Sequence, residues 1–545
     1  MISISARHLR AALAACLLFA IAAPLAAQGT APVPLDDPAY VYLDRLEELG
    51  LVDSAVMGQR PYSYREMSRL ARAARFASTG RGAGSTESVL VDDLIAHLSA
   101  RVESPPPVRA ALLDEALVAA NGTNALRRTL PPAGSGAAPQ ATIAPLALRR
   151  LGEPAARGTS ATLEVLQRAE PLSWLAVNAR ERLEVRHPRD GAIASHAASV
   201  LEGGVRARWR NLAIMVGREQ LGWGSGGRGG LFIAADAPAL DQIVLASDHP
   251  FILPSVFSRM GPFSGTFMLA EMGPSTVRSH SKMLAYKLSV RPTSTLELGA
   301  TFQNHFGGEG GRTSPFWYRV IDFLPMIDIF RRHNYVDTTH VFDVDSDKAI
   351  GADFRWRSDA LSGVTFAGEI LIDDFDVHRL ASLLNYAGSH ALTVTIPRLA
   401  SPAWSLMLDG THMGPLTYTH AALLQGMTVR GRLLGNELGP DVKAFGAELR
   451  WQPSSSIRLS LRGQRAISSN TAYAAGYDIN GRWIVRKLFS APDELRDLAI
   501  GSMTVAPTAA TSLTLRGGAE RIRNVMFVGG RRHGYVADVA FRWKP

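Results

Sequence analysis

From Val205 to Gly224 the chain reads VRARWRNLAIMVGREQLGWG, and its first half alternates strictly. Val205, Ala207 and Trp209 fall on one side, Arg206, Arg208 and Arg210 on the other. Side chains on a strand have period 2, so the segment has one apolar and one cationic face. Asn211 reads as a turn residue, after which Leu212, Ile214 and Val216 resume the alternation. The pattern predicts a hairpin with a greasy side and a basic side. A soluble sandwich has such faces, and so does a membrane barrel with lipid outside and water inside.

The same pattern continues from about Leu172 to the end, in short segments separated by Gly, Pro, Asn and Asp. Leu296, Leu298, Ala300 and Phe302 oppose Glu297, Gly299, Thr301 and Gln303. Val364, Phe366, Ile370 and Ile372 oppose Thr365, Glu369 and Asp373, and Ile457, Leu459 and Leu461 oppose Arg458, Ser460 and Arg462. The last strand sets Tyr535, Ala537, Val539, Phe541 and Trp543 against Asp538 and Arg542. The apolar faces are aliphatic in the middle and aromatic at the ends, as in the girdles of outer-membrane barrels. Alternation over so long a stretch, with no division into units of about 100 residues, disfavours a sandwich. The fold predicted is an all-β transmembrane β-barrel of about 18 antiparallel strands.

Ahead of it the period changes. Asp37-Pro38 supplies a helix cap and first-turn proline, with Tyr42, Leu43, Leu46 and Leu49 as an apolar stripe and Gly50 as the stop. Ser63 to Glu66 is a capping box before Met67, Leu70, Ala71 and Ala74. A third helix from about Thr86 to Arg101 carries Leu90, Leu94, Ile95 and Leu98, and prolines 105–107 end it. The organisation expected is a signal peptide over 1–27, a periplasmic helical module over 28–118, an Ala/Pro/Gly-rich linker over 119–165 and the barrel over 166–545. Within the barrel, helical loops are expected at Ser314–Leu324, Asp376–Leu384 and Pro492–Leu498.

Arg7 and Arg10 precede the apolar run Ala11–Ala23, Pro24 breaks it, and Ala26-Ala27 offer a cleavage site, which is the layout of a secretory signal. Leu13-Ala14-Ala15-Cys16 imitates a lipoprotein box, but the greasy run continues past the cysteine. Cys16 is the only cysteine, so a mature chain has no disulfide, thiolate metal site or cysteine nucleophile. Past residue 30 there is no run of about 18 apolar residues, the least that spans a bilayer as a helix. The 545 residues carry a formal charge of +9, which favours acidic partners, and export argues against nucleic acid.

Several segments in order resemble the Wzi family of capsule-assembly proteins: RPYSYRE (Arg60–Glu66), GREQLGWGSG (Gly217–Gly226), LFIAADAPAL (Leu231–Leu240), RPTSTLELGATFQNHFGGEG (Arg291–Gly310), IDDFD (Ile372–Asp376) and Tyr418-Thr419-His420. The resemblance spans most of the chain. It implies an outer-membrane barrel with a periplasmic helical bundle, a lectin that holds capsular or exopolysaccharide at the cell surface, with no catalytic residues and no cofactor. The long linker, Asp236 where asparagine is expected, and the ending Trp543-Lys544-Pro545 depart from the family pattern.

The residues themselves offer a polysaccharide site. Arg206, Arg208 and Arg210, with Arg218, Arg458 and Arg462, can pair with uronate or phosphate through the guanidinium fork. The alternative is a lumen row neutralised by acids on neighbouring strands. Trp223, between Gly222 and Gly224, can stack on a sugar ring or sit in the interfacial girdle. Asp343, Asp345 and Asp347 imitate a calcium loop, but Lys348 replaces its turn glycine and Phe354 its bidentate glutamate, so no metal is expected. His305 to Gly311 is a glycine-rich turn without a phosphate-loop lysine, and no G-x-S-x-G or H-E-x-x-H occurs. The partners expected are an acidic polysaccharide, outer-membrane lipids with lipopolysaccharide, and the barrel-assembly machinery, for a chain acting as a monomer. A porin-like channel for small anions is the second reading, since a cationic lumen also permits it.

Overall fold

A computed structural model describes residues 29–79, 85–102, 111–130, 141–155, 157–189, 194–224, 230–274, 278–311, 346–373, 386–419, 426–477, 479 and 483–545. The signal segment, the helices expected at Ser314–Leu324 and Asp376–Leu384, and Asp343 and Asp345 lie outside these residues.

Eighteen long strands close a barrel in which each pairs antiparallel with its sequence neighbours. They are β1 (Ala111–Thr123), β2 (Gly158–Leu172), β3 (Leu175–Pro188), β4 (Ser195–Trp209), β5 (Leu212–Glu219), β6 (Leu240–Ser247), β7 (Pro262–Glu271), β8 (Lys282–Thr293) and β9 (Leu296–Phe306). The second half comprises β10 (Ser346–Ser358), β11 (Val364–Ile372), β12 (Gly388–Ile396), β13 (Trp404–Met413), β14 (Val442–Ser454), β15 (Ile457–Ser468), β16 (Glu494–Thr508), β17 (Thr511–Val525) and β18 (Gly529–Trp543). The ring closes where β18 meets β1, with Trp543 opposite Ala116 and Val536 opposite Thr123. Closure gives every strand a partner on both sides over part of its length, the condition for strands to cross lipid.

The alternation decides which way each strand faces. Leu298, Phe354, Trp356, Ile370, Leu459, Leu461, Val539 and Phe541 are exposed on the outer wall, while Glu297, Thr301, Gln303, Asp353, Thr365, Glu369 and Arg462 are buried inside. Aromatic pairs ring the outer wall at the end with short turns: Trp356 with Phe366 at 5.5 Å, Trp404 with Trp451 at 6.0 Å, and Phe251 with Phe263 at 5.5 Å. The other end carries the long connections, including 219–240 and 413–442.

Two boundaries differ from the sequence reading. The barrel begins at Ala111, inside the span read as helical module, and β2 begins at Gly158, inside the span read as linker. β1 reads ALLDEALVAANGT, whose Ala, Leu and Glu favour helix and whose small residues blur the alternation. The linker holds a small hairpin, Arg128–Leu130 with Ala141–Ile143. The segment read as a helix over Pro492–Leu498 instead opens β16 at Glu494.

The three helices, α1 (Pro38–Glu48), α2 (Tyr64–Ser78) and α3 (Thr86–Val102), form as their caps direct. The Asp37 carboxylate accepts from the Ala39 amide at 2.8 Å, the Ser63 hydroxyl accepts from the Glu66 amide at 3.1 Å, and Gly50 turns the chain at φ +76°. Leu43, Leu46, Met67, Leu70, Leu94 and Leu98 meet in one core, to which the barrel adds Ala176. The module therefore has its own apolar interior, and the contacts described next join it to the barrel mainly through polar groups.

Candidate functional site

An 18-strand barrel is wide enough to leave an aqueous channel unless something fills it. Here the helical module enters from the short-turn end. Arg180 of β3 pairs with Asp36 at 3.0 Å, Arg398 with Glu87 at 2.6 Å, Arg357 with Asp53 at 3.2 Å, and Arg355 with Glu47. The Glu297 carboxylate of β9 accepts from the Met57 and Gly58 amides, both at 2.8 Å. Ser455, in the β14–β15 turn, donates to Asp93 at 2.7 and 2.9 Å. The tail beyond β18 also takes part, with Lys544 donating to the Arg101 carbonyl at the end of α3 at 3.2 Å.

The long connections enter from the opposite end and meet this module inside the lumen. Gly222-Trp223 pairs antiparallel with Gln59-Arg60 of the helical module. The Trp223 amide donates to the Ile233 carbonyl at 2.9 Å, and the Leu231 amide to Glu369 of β11 at 2.8 Å. Tyr418 donates its hydroxyl to the Leu231 carbonyl, while its amide donates to Asp373. A side chain at Gly435 would lie 2.1 Å from that hydroxyl, so only glycine fits there. Around these bonds Leu231, Phe232, Ile233, Met268, Met283 and Leu434 form an apolar cluster in the lumen. The interior is therefore not simply wet: an apolar core fills part of it. Between plug and wall near Gln59 and Arg206 the space is about 50 Å³, well below the several hundred of ordinary ligand pockets.

The sequence-predicted site residues do not gather. Arg206 is buried near the short-turn end and donates to Asp248 at 3.1 Å. Arg208 donates to the Ser173 and Arg210 carbonyls, and Arg210 occupies the β4–β5 turn at φ +54°, its guanidinium 5.1 Å from the Trp209 ring. All three lie at the end away from the long loops. Arg458 is half-buried at that same end, and Arg462 is held inside the lumen by a two-point bond to Asp409 at 2.6 and 3.0 Å. Trp223 is 3% exposed in the lumen core, in neither the girdle nor a position to stack on an outside sugar. The glycines on either side suggested exposure, but the tryptophan is covered by the segment Leu231–Ala234, which folds back over it.

Arg218 is the exception. It stands at the upper end of β5, where it joins a cavity of about 280 Å³ at the long-loop end lined by Arg182, Arg186, Arg430 and Arg432. The wall is notched there: β5 pairs with β4 only as far as Gly203, leaving the upper part of β4 to pair with β3 alone. Arg218 grips Asp241 through two bonds at 2.7 and 2.8 Å, and Arg430 reaches the same carboxylate at 2.6 Å. Glu153 accepts from Arg182 at 2.6 Å and Arg186 at 2.9 Å, with Arg432 4.0 Å away. Arg186 also reaches Glu184 at 2.6 Å and Arg182 reaches Glu164 at 2.7 Å, so five guanidiniums share Glu153, Glu164, Glu184 and Asp241, and each guanidinium has five N–H donors. Arg182 and Arg186 fall on the inner face of β3 in sequence, but Arg430 and Arg432 come from a distant loop, so spacing alone could not assemble the set. Among the described residues no cluster of His, Cys, Asp and Glu has the form of a metal site.

The family model for capsule assembly protein Wzi matches residues 139–534. The chain belongs to that family. No curated protein sequence matches it. Among solved structures, this Wzi-family barrel is similar to Wzi of Escherichia coli, described as an outer membrane protein involved in group 1 capsule assembly and a carbohydrate-binding β-barrel. The two share 15% identity and a TM-score of 0.64 over 93% of this chain and 98% of that one. OprD of Pseudomonas aeruginosa, an outer membrane protein, matches over 80% of this chain and 94% of its own at 10% identity and a TM-score of 0.44. Five of the six segments on which the family resemblance rests have a common place in this structure: Arg60, Trp223, Leu231, Asp373 and Tyr418 all take part in closing the lumen, while Arg291–Gly310 runs along the wall in β8 and β9.

Proposed function

We propose that this protein is an outer-membrane lectin that attaches acidic capsular or exopolysaccharide to the cell surface and aids capsule assembly. In this reading the short turns and helical module face the periplasm and the long loops face outward, the usual asymmetry of such barrels. The observation that carries it is the arginine-lined cavity at the long-loop end, above a lumen filled from both sides. Guanidiniums match the two-oxygen geometry of uronate or pyruvyl carboxylates. Shared acids leave them room to take a glycan carboxylate in addition. The protein works by equilibrium binding, not by chemistry on the glycan. The ring of strands closes on itself, which fits a monomer, inserted by the barrel-assembly machinery.

The test is retention of acidic polysaccharide by purified protein and by cells carrying it, with Arg430→Ala and Arg432→Ala combined. Charge-assisted hydrogen bonds contribute about 1.5–3 kcal/mol each, so losing one or two weakens binding at least tenfold. Binding should also fall with salt. Equal retention of neutral and acidic polymers, or unchanged retention by the folded double variant, would overturn the reading.

A further inference from the structure

The outer wall of β15–β18 carries a cationic group that neither the lumen nor the glycan cavity uses. Arg465, Asp497, Arg521 and His533 stand side by side across four strands in direct register. All four share the outward parity of Leu461, Met503, Leu515 and Val539. Asp497 accepts from Arg465 at 2.6 Å and Arg521 at 3.0 Å, with Arg523 at 3.9 Å. One carboxylate thus serves three guanidiniums that are 59%, 51% and 38% exposed. Arg523 also lies directly opposite Arg531 on β18, a like-charge pair that weakens a sheet unless an anion lies between. Arg189, from the β3–β4 connection, extends the group by donating to the Tyr535 hydroxyl at 3.1 Å.

Height identifies the occupant. Thr511 sits opposite Trp543 at the aromatic edge near the short turns, and Arg521 is ten residues further along β17. At about 3.4 Å per residue and a tilt of about 40°, that is roughly 26 Å across the wall, against about 25 Å for the apolar band of such barrels. The arginines therefore stand where the outer-leaflet headgroups begin. We infer that this patch binds the phosphorylated sugar headgroup of the outer-leaflet glycolipid, with Arg465, Arg521 and Arg523 as its phosphate ligands. The acyl chains then lie on the apolar face below, along Leu513, Leu515, Leu459 and Leu461, all exposed. The inference rests on the membrane placement proposed above but not on the glycan cavity.

The full chain in detergent is offered bisphosphorylated lipid A, its dephosphorylated form, and inorganic phosphate, with bound lipid read by native mass spectrometry. Insertion into vesicles, scored separately, reports whether the membrane placement itself fails. The expected result is retention of the bisphosphorylated lipid, weakened at least tenfold by Arg465→Gln, Arg521→Gln and Arg523→Gln together and by high salt. Asp497→Asn, which removes the one acid, should tighten it. Equal retention of the dephosphorylated lipid, equally tight inorganic phosphate, or a folded triple variant that binds as wild type overturns the inference. Should the triple variant not fold, Asp497→Asn decides alone: unchanged or weaker retention sinks the proposal.

Discussion

Arg101 is the residue whose removal most directly tests how the lumen is held shut. It lies in the last turn of α3 and is 4% exposed. Its guanidinium donates to the two Asp37 oxygens at 2.7 and 2.9 Å, to Glu115 of β1 at 2.8 Å and to the Ala509 carbonyl in the β16–β17 turn at 2.6 Å. One side chain thus ties two helices of the module to the barrel wall. Arg101→Ala leaves two buried carboxylates short of a charge. Breaking one side of such a buried pair costs about 3–5 kcal/mol. The lower end applies here, because Asp37 keeps its bond from Ala39 and Glu115 keeps Arg542. About 3 kcal/mol is roughly a hundredfold shift in the docked-to-undocked ratio. The barrel itself should survive, since no ladder bond is lost.

The assay is planar-bilayer conductance beside limited proteolysis. Wild type should be nearly silent, and Arg101→Ala should show opening events and cleavage within the helical module about a hundredfold more often. Arg101→Lys restores charge but not the fork, and should fall between the two. If the folded Arg101→Ala protein stays as silent and as protease-resistant as wild type, Arg101 does not hold the module in place. If wild type itself conducts freely, the filled-lumen account fails and the porin reading gains.

Acid should act on the same joint. Burial alone would raise the Asp37 carboxyl, but the charges of Arg101, Lys544 and Arg542 outweigh it and hold it well below the usual carboxylate range. A depressed value stabilises docking above the unfolded value of about 4, and that contribution is lost as pH falls below it. Protease resistance of the module should then be flat from pH 7 to 5 and drop below about 4; release already by pH 6 would contradict the assignment. Trp223→Ala should destabilise the protein by about 3–5 kcal/mol through the cavity it leaves, with no loss of glycan affinity in the folded fraction. Reduced affinity at unchanged stability would instead restore Trp223 as a sugar platform. Leu98→Ala, at a position fully buried in the helical core, should cost about 2–5 kcal/mol in module stability and leave barrel heat-modifiability unchanged. A barrel that melts with the module would show that the two do not fold as separate cores.

Apart from β1, whose small residues blur the pattern, the wall was legible because its strands meet lipid on one side, and lipid enforces alternation residue by residue. Leu298 against Glu297 and Val539 against Asp538 need no knowledge of their neighbours to be assigned a side. The plug was not legible, because no single solvent acts on it. Trp223 and Phe232 look like surface aromatics among glycines until Gln59, more than 150 residues earlier, is laid against Trp223. Charge misled for a related reason. Arg206, Arg208 and Arg210 stand out because they are consecutive on one face, yet adjacency along a strand says nothing about height in a membrane. The cavity at the long-loop end draws Arg182 and Arg186 from the wall and Arg430 and Arg432 from a loop, so no local pattern announces it.

That contrast explains why the filling of the lumen bears on function. A barrel meant to conduct needs charges lining a free path, whereas here Arg355, Arg357 and Glu297 inside the wall are bonded to the helical module. Their partners differ in sequence from one another but are alike in being polar, so the helical module is held to the wall mainly by polar groups. Such an interface suits a module that must reach the lumen through water before it docks. At the long-loop end, by contrast, Arg186, Arg218, Arg430 and Arg432 line a cavity and are each about one-third exposed. If the plug only blocked a channel, making Arg430 and Arg432 neutral would change nothing measurable outside the cell. If the barrel is an anchor, the same change strips polymer from the surface while conductance stays silent, and that pair of readings separates the two accounts.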